Sequence, residues 1–245
     1  MNSKTLDIIP LQEYNPPVGG YLLMIIYHGS RNIIPAPIFG YGRETNDYGK
    51  GFYCTEKLDL ACEWAVDLDY SGYANCYEID INEMSVLDLS DGEYGILEWM
   101  AILLTYRDLD IQFPLQAAAR EYLIDNFYVD VDEYDVVKGY RADDSFFSFA
   151  RAFLSNTISY EQLRQALYLG DLGQQIVLKS ERAFECIKPK GYISADAAVW
   201  YPRKQNRDLG ARKKYNDMLS ASRVKGAIYI NNIIEEEMKR YDVRL

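Results

Sequence analysis

The sequence predicts a mixed α+β fold with short strands gathered around a cleft, and three observations carry that prediction. First, "YLLMIIY" (Tyr21 to Tyr27) is an apolar run too short for a stable helix and bounded by Gly19-Gly20 and by Gly29, as a buried strand is. Second, "ANCYEIDIN" alternates Cys76, Glu78 and Asp80 against Tyr77, Ile79 and Ile81, the period of two of a half-buried strand. Third, blocks of helical period interrupt the strands, among them a helical insertion from about Tyr94 to Tyr128.

In chain order, the first strand ends at His28, the only histidine of the 245 residues. "GKGFYCT" reads as a second strand reached through a glycine turn. "EKLDLACEWAVDL" then carries Leu58, Ala61, Cys62, Ala65 and Val66 at helical spacing. After the alternating strand, "SVLDLS" predicts another. "YGILEWMAILLTYRD" and "PLQAAAREYLIDNFY" predict two helices, the second opened by Pro114, which suits a first helical turn. "EYDVVKGYRA" returns to strand. "DDSFFSFARAFL" and "SYEQLRQALYLG" predict helices with Asp or Ser caps, and "QQIVLKS" a late strand. The expected organisation is one domain over residues 1–190, with the insertion at about 94–128, and a helical C-terminal extension over 191–245 packed on it.

Composition narrows the function classes. Hydrophobic residues make up 49% and charged residues 26%, ordinary for a globular chain. A net charge of −11 repels nucleic acid as a whole, which disfavours generic nucleic-acid binding. The start has neither a basic n-region nor a long apolar h-region, and no long apolar run follows, so a cytoplasmic protein without a membrane partner is expected. Cys54, Cys62, Cys76 and Cys186 show no C-x-x-C spacing, so no metal site and no disulfide framework is expected. One basic island, with Arg203, Lys204, Arg207, Arg212, Lys213 and Lys214, reads as a solvated helix face, with docking of an acidic partner as the alternative.

Familiar motifs fail on inspection. Gly42 to Lys50 lacks the glycine spacing of a phosphate loop, and Gly51 stands where a hydroxyl would hold magnesium. "DVDEYD" lacks the central glycine and distal Glu of a calcium loop, and reads as the solvated approach to a strand. "YHGSR" is not a nucleophile elbow.

One constellation survives. His28-Gly29 at a strand end, then Gly49-Lys50-Gly51-Phe52-Tyr53, then Trp64 eleven positions beyond Tyr53, resembles the ADP-ribosyltransferases of the diphtheria-toxin and poly(ADP-ribose) polymerase class. The resemblance is close from Leu22 to Trp64 and diffuse afterwards. It implies a split antiparallel sheet around an NAD cleft, with NAD as co-substrate. In that family the His-Gly pair and the G-K-G-[IFV]-Y strand flank the nicotinamide end. An imidazole can donate to a ribose hydroxyl, a glycine admits the carboxamide to the backbone, and aromatic faces suit the cationic ring. The resemblance thus implies cofactor contacts from His28, Gly29, Ser30, Arg43, Gly51, Phe52, Tyr53, Ala61 and Trp64, with Arg43 and Lys50 near the pyrophosphate.

Two departures stand out. The family's triad ends in a glutamate on a later strand, but "GQQIVLKSERAF" offers only Gln174 and Gln175. A strand places one of the two in the cleft. Gln175 is favoured, because the chain also resembles a bacterial ADP-ribosyltransferase-like family in which "Q-I-x-x-K-[ST]-E-[KR]-A" recurs with "ADD", here Ala142-Asp143-Asp144. Ala61 stands where the polymerases carry a serine. The implied catalytic set is His28, Tyr53 and Gln175. The implied activity is mono-ADP-ribosyl transfer to a macromolecular acceptor, as in the toxin of a bacterial toxin–antitoxin pair whose partner is an antitoxin protein. The alternatives are an NAD-binding pseudoenzyme acting through a partner, or an NAD glycohydrolase. Read without the resemblance, Gly49 and Gly51 form a hairpin turn, Tyr53 and Trp64 are core aromatics, Gln175 is an edge residue, and Asp143 and Asp144 cap a helix.

Overall fold

The computed structural model describes residues 23–142, 144–166, 173–220 and 226–245. The chain start through Leu22 and the expected cap Asp143 lie outside the described residues. The first sheet is antiparallel, in the order β1-β3-β7, from β1 (Leu23–Ser30), β3 (Gly72–Asp80) and β7 (Ile187–Ala195). The second runs β2-β6-β5-β4, from β2 (Phe52–Cys54), β6 (Gln174–Leu178), β5 (Val136–Tyr140) and β4 (Val86–Asp88). The class is α+β as expected, but the second sheet is mixed. β4 pairs with β5 in parallel because α2 (Ile96–Tyr106) and α3 (Pro114–Phe127) carry the chain back between them.

The insertion forms around the largest core. Trp99, Met100 and Leu103 of α2 pack with Leu123 and Phe127 of α3, with Phe146, Phe149 and Phe153 of α4 (Asp144–Leu154), and with Ile230 and Ile233 of α8 (Ile230–Glu235). Capping follows sequence logic. Gln116 accepts from the Phe113 amide ahead of Pro114, and Ser159 and Gln162 form a reciprocal box at the start of α5 (Tyr160–Ala166). A second core fills the space between the sheets, where Met24 and Ile26 of β1 meet Phe52, Tyr77, Ile176 and Leu178. A third lies under α1 (Leu58–Ala65), against Tyr27, Ala74 and Ala195.

β7 runs through the boundary expected at residue 190, so the helical part of the extension begins only with α7 (Ala197–Ser220). The strand is an edge strand with Pro189 inside it. Its register against β3 shifts between Tyr77↔Pro189 and Cys76↔Gly191, which leaves Lys190 as the extra residue of a bulge at a glycine with φ +125°. "DVDEYD" is not extended. It contains a single 3-10 turn (Val131–Glu133) capped by Asp130. Among the described residues no helix is long and apolar enough to cross a membrane, and no group of side chains could hold a metal ion.

Candidate functional site

The two sheets touch where β1 meets β2, and there they come apart. Tyr27 and Thr55 exchange both backbone hydrogen bonds, at 2.8 and 2.9 Å. Continuing that register would put Gly29 opposite Tyr53. The Tyr53 carbonyl instead accepts from His28 Nδ1 at 2.7 Å, so the lone imidazole occupies the opening between the strands. A carbonyl only accepts, so Nδ1 carries the proton and Nε2 of the neutral ring is an acceptor. In this tautomer Nε2 has no proton to donate. Burial holds the His28 pKa below its ordinary value, against the pull of the Tyr53 carbonyl, and the ring stacks on Phe52 at 4.3 Å.

A cavity of about 650 Å³ opens beside this split, lined among others by Tyr53, Trp64 and Gln175. Residues 122 positions apart in the chain thus share one wall because β2 pairs with β6, with Tyr53 opposite Val177. Period two sorts the glutamines. Gln175 is buried and lines the cavity, whereas Gln174 hydrogen-bonds Ser90 elsewhere. Gln175 Nε2 donates to Asp47 Oδ2 at 3.0 Å, and Gln175 Oε1 is buried with no partner. Trp64 Nε1 is likewise buried without a partner. The site therefore holds one unused acceptor and one unused donor, which is uncommon for buried polar atoms.

Asp47 is the residue that sequence reasoning missed. It is 6% exposed, and its Oδ2 also accepts from the Ala142 amide at 3.0 Å. Arg107 Nε lies 3.8 Å from the other oxygen. Burial pushes the carboxyl above the usual carboxylate range, while the Ala142 amide, Arg107 and Gln175 pull it down. Its loop is fixed from several sides. Tyr53 Oη donates to Gly49 O at 2.6 Å and accepts from the Tyr48 amide at 3.0 Å, and Lys179 Nζ donates to Tyr48 O at 2.6 Å. Gly49 has φ +71°, and a Cβ there would sit 2.6 Å from the Tyr106 ring.

Lys204 and Arg207 of the basic island line the far wall, which corrects the expectation of a solvated face for these two, while Arg203, Arg212, Lys213 and Lys214 are exposed as expected. Arg207 makes a bidentate pair with buried Glu63 of α1, both contacts at 2.9 Å, and Lys204 Nζ donates to Val66 O at 3.0 Å. Arg203 lies over Trp200 and 3.8 Å from Asp59. The first half of α7 is thus docked on α1, while Arg212 pairs with Asp208 within the helix and Lys213 and Lys214 are exposed. Arg141 lies over the Trp64 ring at 4.6 Å.

The remaining expected contacts, His28 first among them, fall outside the cavity lining: the imidazole rests on Phe52 and on the Tyr53 carbonyl. Gly29 abuts the lining, since a Cβ at that position would lie 2.1 Å from the Ala61 carbonyl and 2.8 Å from Trp64 Cβ. Ala61 is itself fully buried on the inner face of α1. Ser30 is engaged by the Asn32 carbonyl and by Asn75, a buried strand residue that also donates to His28 O and Asn32 O and accepts from the Ile34 amide. Phe52 faces the inter-sheet core, and Gly51 packs where a Cβ would meet Val177 at 2.5 Å. Arg43 is exposed, and Lys50 pairs with Glu44 at 3.1 Å.

Chemically, the cavity is lined by aromatic residues, one of them with a planar cation over its ring, and by a buried carboxylate, while two polar atoms of its lining side chains, Gln175 Oε1 and Trp64 Nε1, are buried without a partner. The chain is matched over residues 24–188 by the model of a family described as "Protein of unknown function (DUF3990)". No curated protein and no solved structure matches it.

Proposed function

This chain belongs to the DUF3990 family, and we propose that it is an NAD-dependent mono-ADP-ribosyltransferase with an ADP-ribosyltransferase-like fold. The observation that carries the reading is that Tyr53, Trp64 and Gln175, singled out in the sequence for one site, line one cavity and leave two buried polar atoms unused there. The parting of the sheets beyond Tyr27 and Thr55 lies next to Tyr53, one of the lining residues.

In this reading the faces of Tyr53 and Trp64 flank the nicotinamide, and the Arg141 guanidinium over the indole marks that face as suited to a planar cation. Arg141 moves aside when the ring binds. Gln175 Oε1 accepts from a ribose hydroxyl, and Trp64 Nε1 donates to an acceptor atom of the dinucleotide. Neutral His28, outside the cavity lining, holds the Tyr53 carbonyl and so the strand that carries the Tyr53 ring. The bond from ribose C1′ to the nicotinamide nitrogen breaks with its electron pair leaving on nitrogen. A lone pair of the acceptor forms the new bond to C1′, and the acceptor's proton passes to solvent. Negative charge near C1′ favours that transition state.

A second reading, a domain that binds NAD without cleaving it, is favoured by one observation: β6 presents glutamine and no acid to the cavity. Incubation with NAD labelled on the adenylate part, in the presence of cell lysate, separates the readings. Label on a macromolecule, lost in Tyr53→Ala and His28→Ala proteins that remain folded, supports the transferase. Nicotinamide release without label transfer indicates a glycohydrolase, and neither product from a folded parent chain overturns catalysis.

A further inference from the structure

We propose that Asp47 supplies the carboxylate that β6 lacks, holding Gln175 as an acceptor and placing one negative charge at the cavity wall. The inference rests on the reading of this cavity as an NAD-cleaving site, and it assigns the charge to a residue far from the glutamine in the chain.

The argument begins with the direction of one hydrogen bond. An amide can present either its oxygen or its nitrogen, and nothing within Gln175 chooses between them. Asp47 chooses. An ionised carboxylate only accepts, so Gln175 turns Nε2 toward Oδ2 at 3.0 Å, and Oε1 of this lining residue is left buried and unpartnered. Asp47 cannot rotate to release it, because the same Oδ2 accepts from the Ala142 backbone amide at 3.0 Å and Arg107 stands 3.8 Å from Oδ1. The two amide donors and the guanidinium favour the charged form, against the burial that raises the Asp47 pKa overall. The pair does together what one glutamate does alone: the glutamine accepts from a hydroxyl and the aspartate supplies the charge.

This separates two properties that one acidic side chain would combine, and the separation is testable. Both hydrogen bonds end on a single oxygen, so Asp47→Asn keeps them with its amide oxygen and removes the charge, together with the Arg107 contact, since the new NH2 faces that guanidinium. Expected is an NAD affinity within about threefold of the parent and nicotinamide release slowed by about tenfold or more. The double variant Asp47→Asn with Gln175→Glu returns one carboxylate to the pair and is expected to recover most of the loss. Gln175→Glu alone sets two carboxylates about 3 Å apart, where they share one proton and gain no net charge, so its rate is expected within about threefold of the parent.

A folded Asp47→Asn protein that releases nicotinamide at the parental rate overturns the proposal. So does a gain of about tenfold or more in Gln175→Glu alone, which would show a parental site short of negative charge; that arm stands even if Asp47→Asn does not fold. A parent chain that neither binds nor cleaves NAD overturns the underlying reading together with this one, and is told apart by calorimetry on the parent alone.

Discussion

Gln175 and Asp47, 128 positions apart in the chain, meet at 3.0 Å with both side chains buried, and the glutamine's remaining oxygen has no partner. A fold does not leave a buried acceptor unused without cost, which is about 1–3 kcal/mol for a neutral group. That cost marks the cavity as a place built for something other than stability. Four expected outcomes test the surrounding account.

His28 is the only histidine, so its ring nitrogens give a single-site NMR titration free of overlap. Burial disfavours the charged ring, and the expected midpoint lies below 6.5. The sign for stability follows. The folded chain binds this proton less tightly than the unfolded chain, so the contribution of the neutral ring is complete above 6.5 and is lost as pH falls through that value toward the folded midpoint. A midpoint at or above 6.5 contradicts the burial of the ring in the split.

Tyr53→Phe keeps the aromatic face and deletes the hydroxyl that bridges Gly49 O and the Tyr48 amide. The orphaned Tyr48 N–H sets the expected loss at about 1–3 kcal/mol. Thermal unfolding should then shift down by about 2–4 °C for each kcal/mol. An unchanged melting temperature would mean that the hydroxyl does not hold the turn.

Gly29→Ala tests the passage of β1 beneath α1. The new methyl would lie 2.1 Å from a backbone oxygen, Ala61 O, which cannot swing away as a side chain would. The expected cost is about 2 kcal/mol or more, read by chemical denaturation. A loss under about 0.5 kcal/mol would show that α1 stands farther from β1.

Much of this architecture was legible in the residues. β1 and β3 follow from their patterns, and the insertion helices follow from their period and from Pro114. β7 was not, because Pro189, Lys190 and Gly191 read as a break, and only pairing with β3 makes a bulged edge strand of them. Alternation along β6 sends one of the two glutamines to the cavity, and there the structure places Gln175, which the sequence could favour only through the resemblance.

Asp47 escaped notice for a physical reason. An aspartate two places before a positive-φ glycine looks like a turn former, and only the tertiary approach of β6 and Ala142 reveals its burial. The charges of the basic island misled in the same way. Nothing local to α7 announces that Glu63 will neutralise Arg207, and two residues of the face that looked solvated, Lys204 and Arg207, line the cavity.

The most direct test of the central claim is a calorimetric titration of NAD into the parent chain and into Trp64→Ala. The account predicts saturable one-to-one binding to the parent, weakened by about tenfold or more when the indole face and its unused Nε1 donor are removed. Absence of binding to the folded parent, or equal affinity in the folded Trp64→Ala protein, would contradict it.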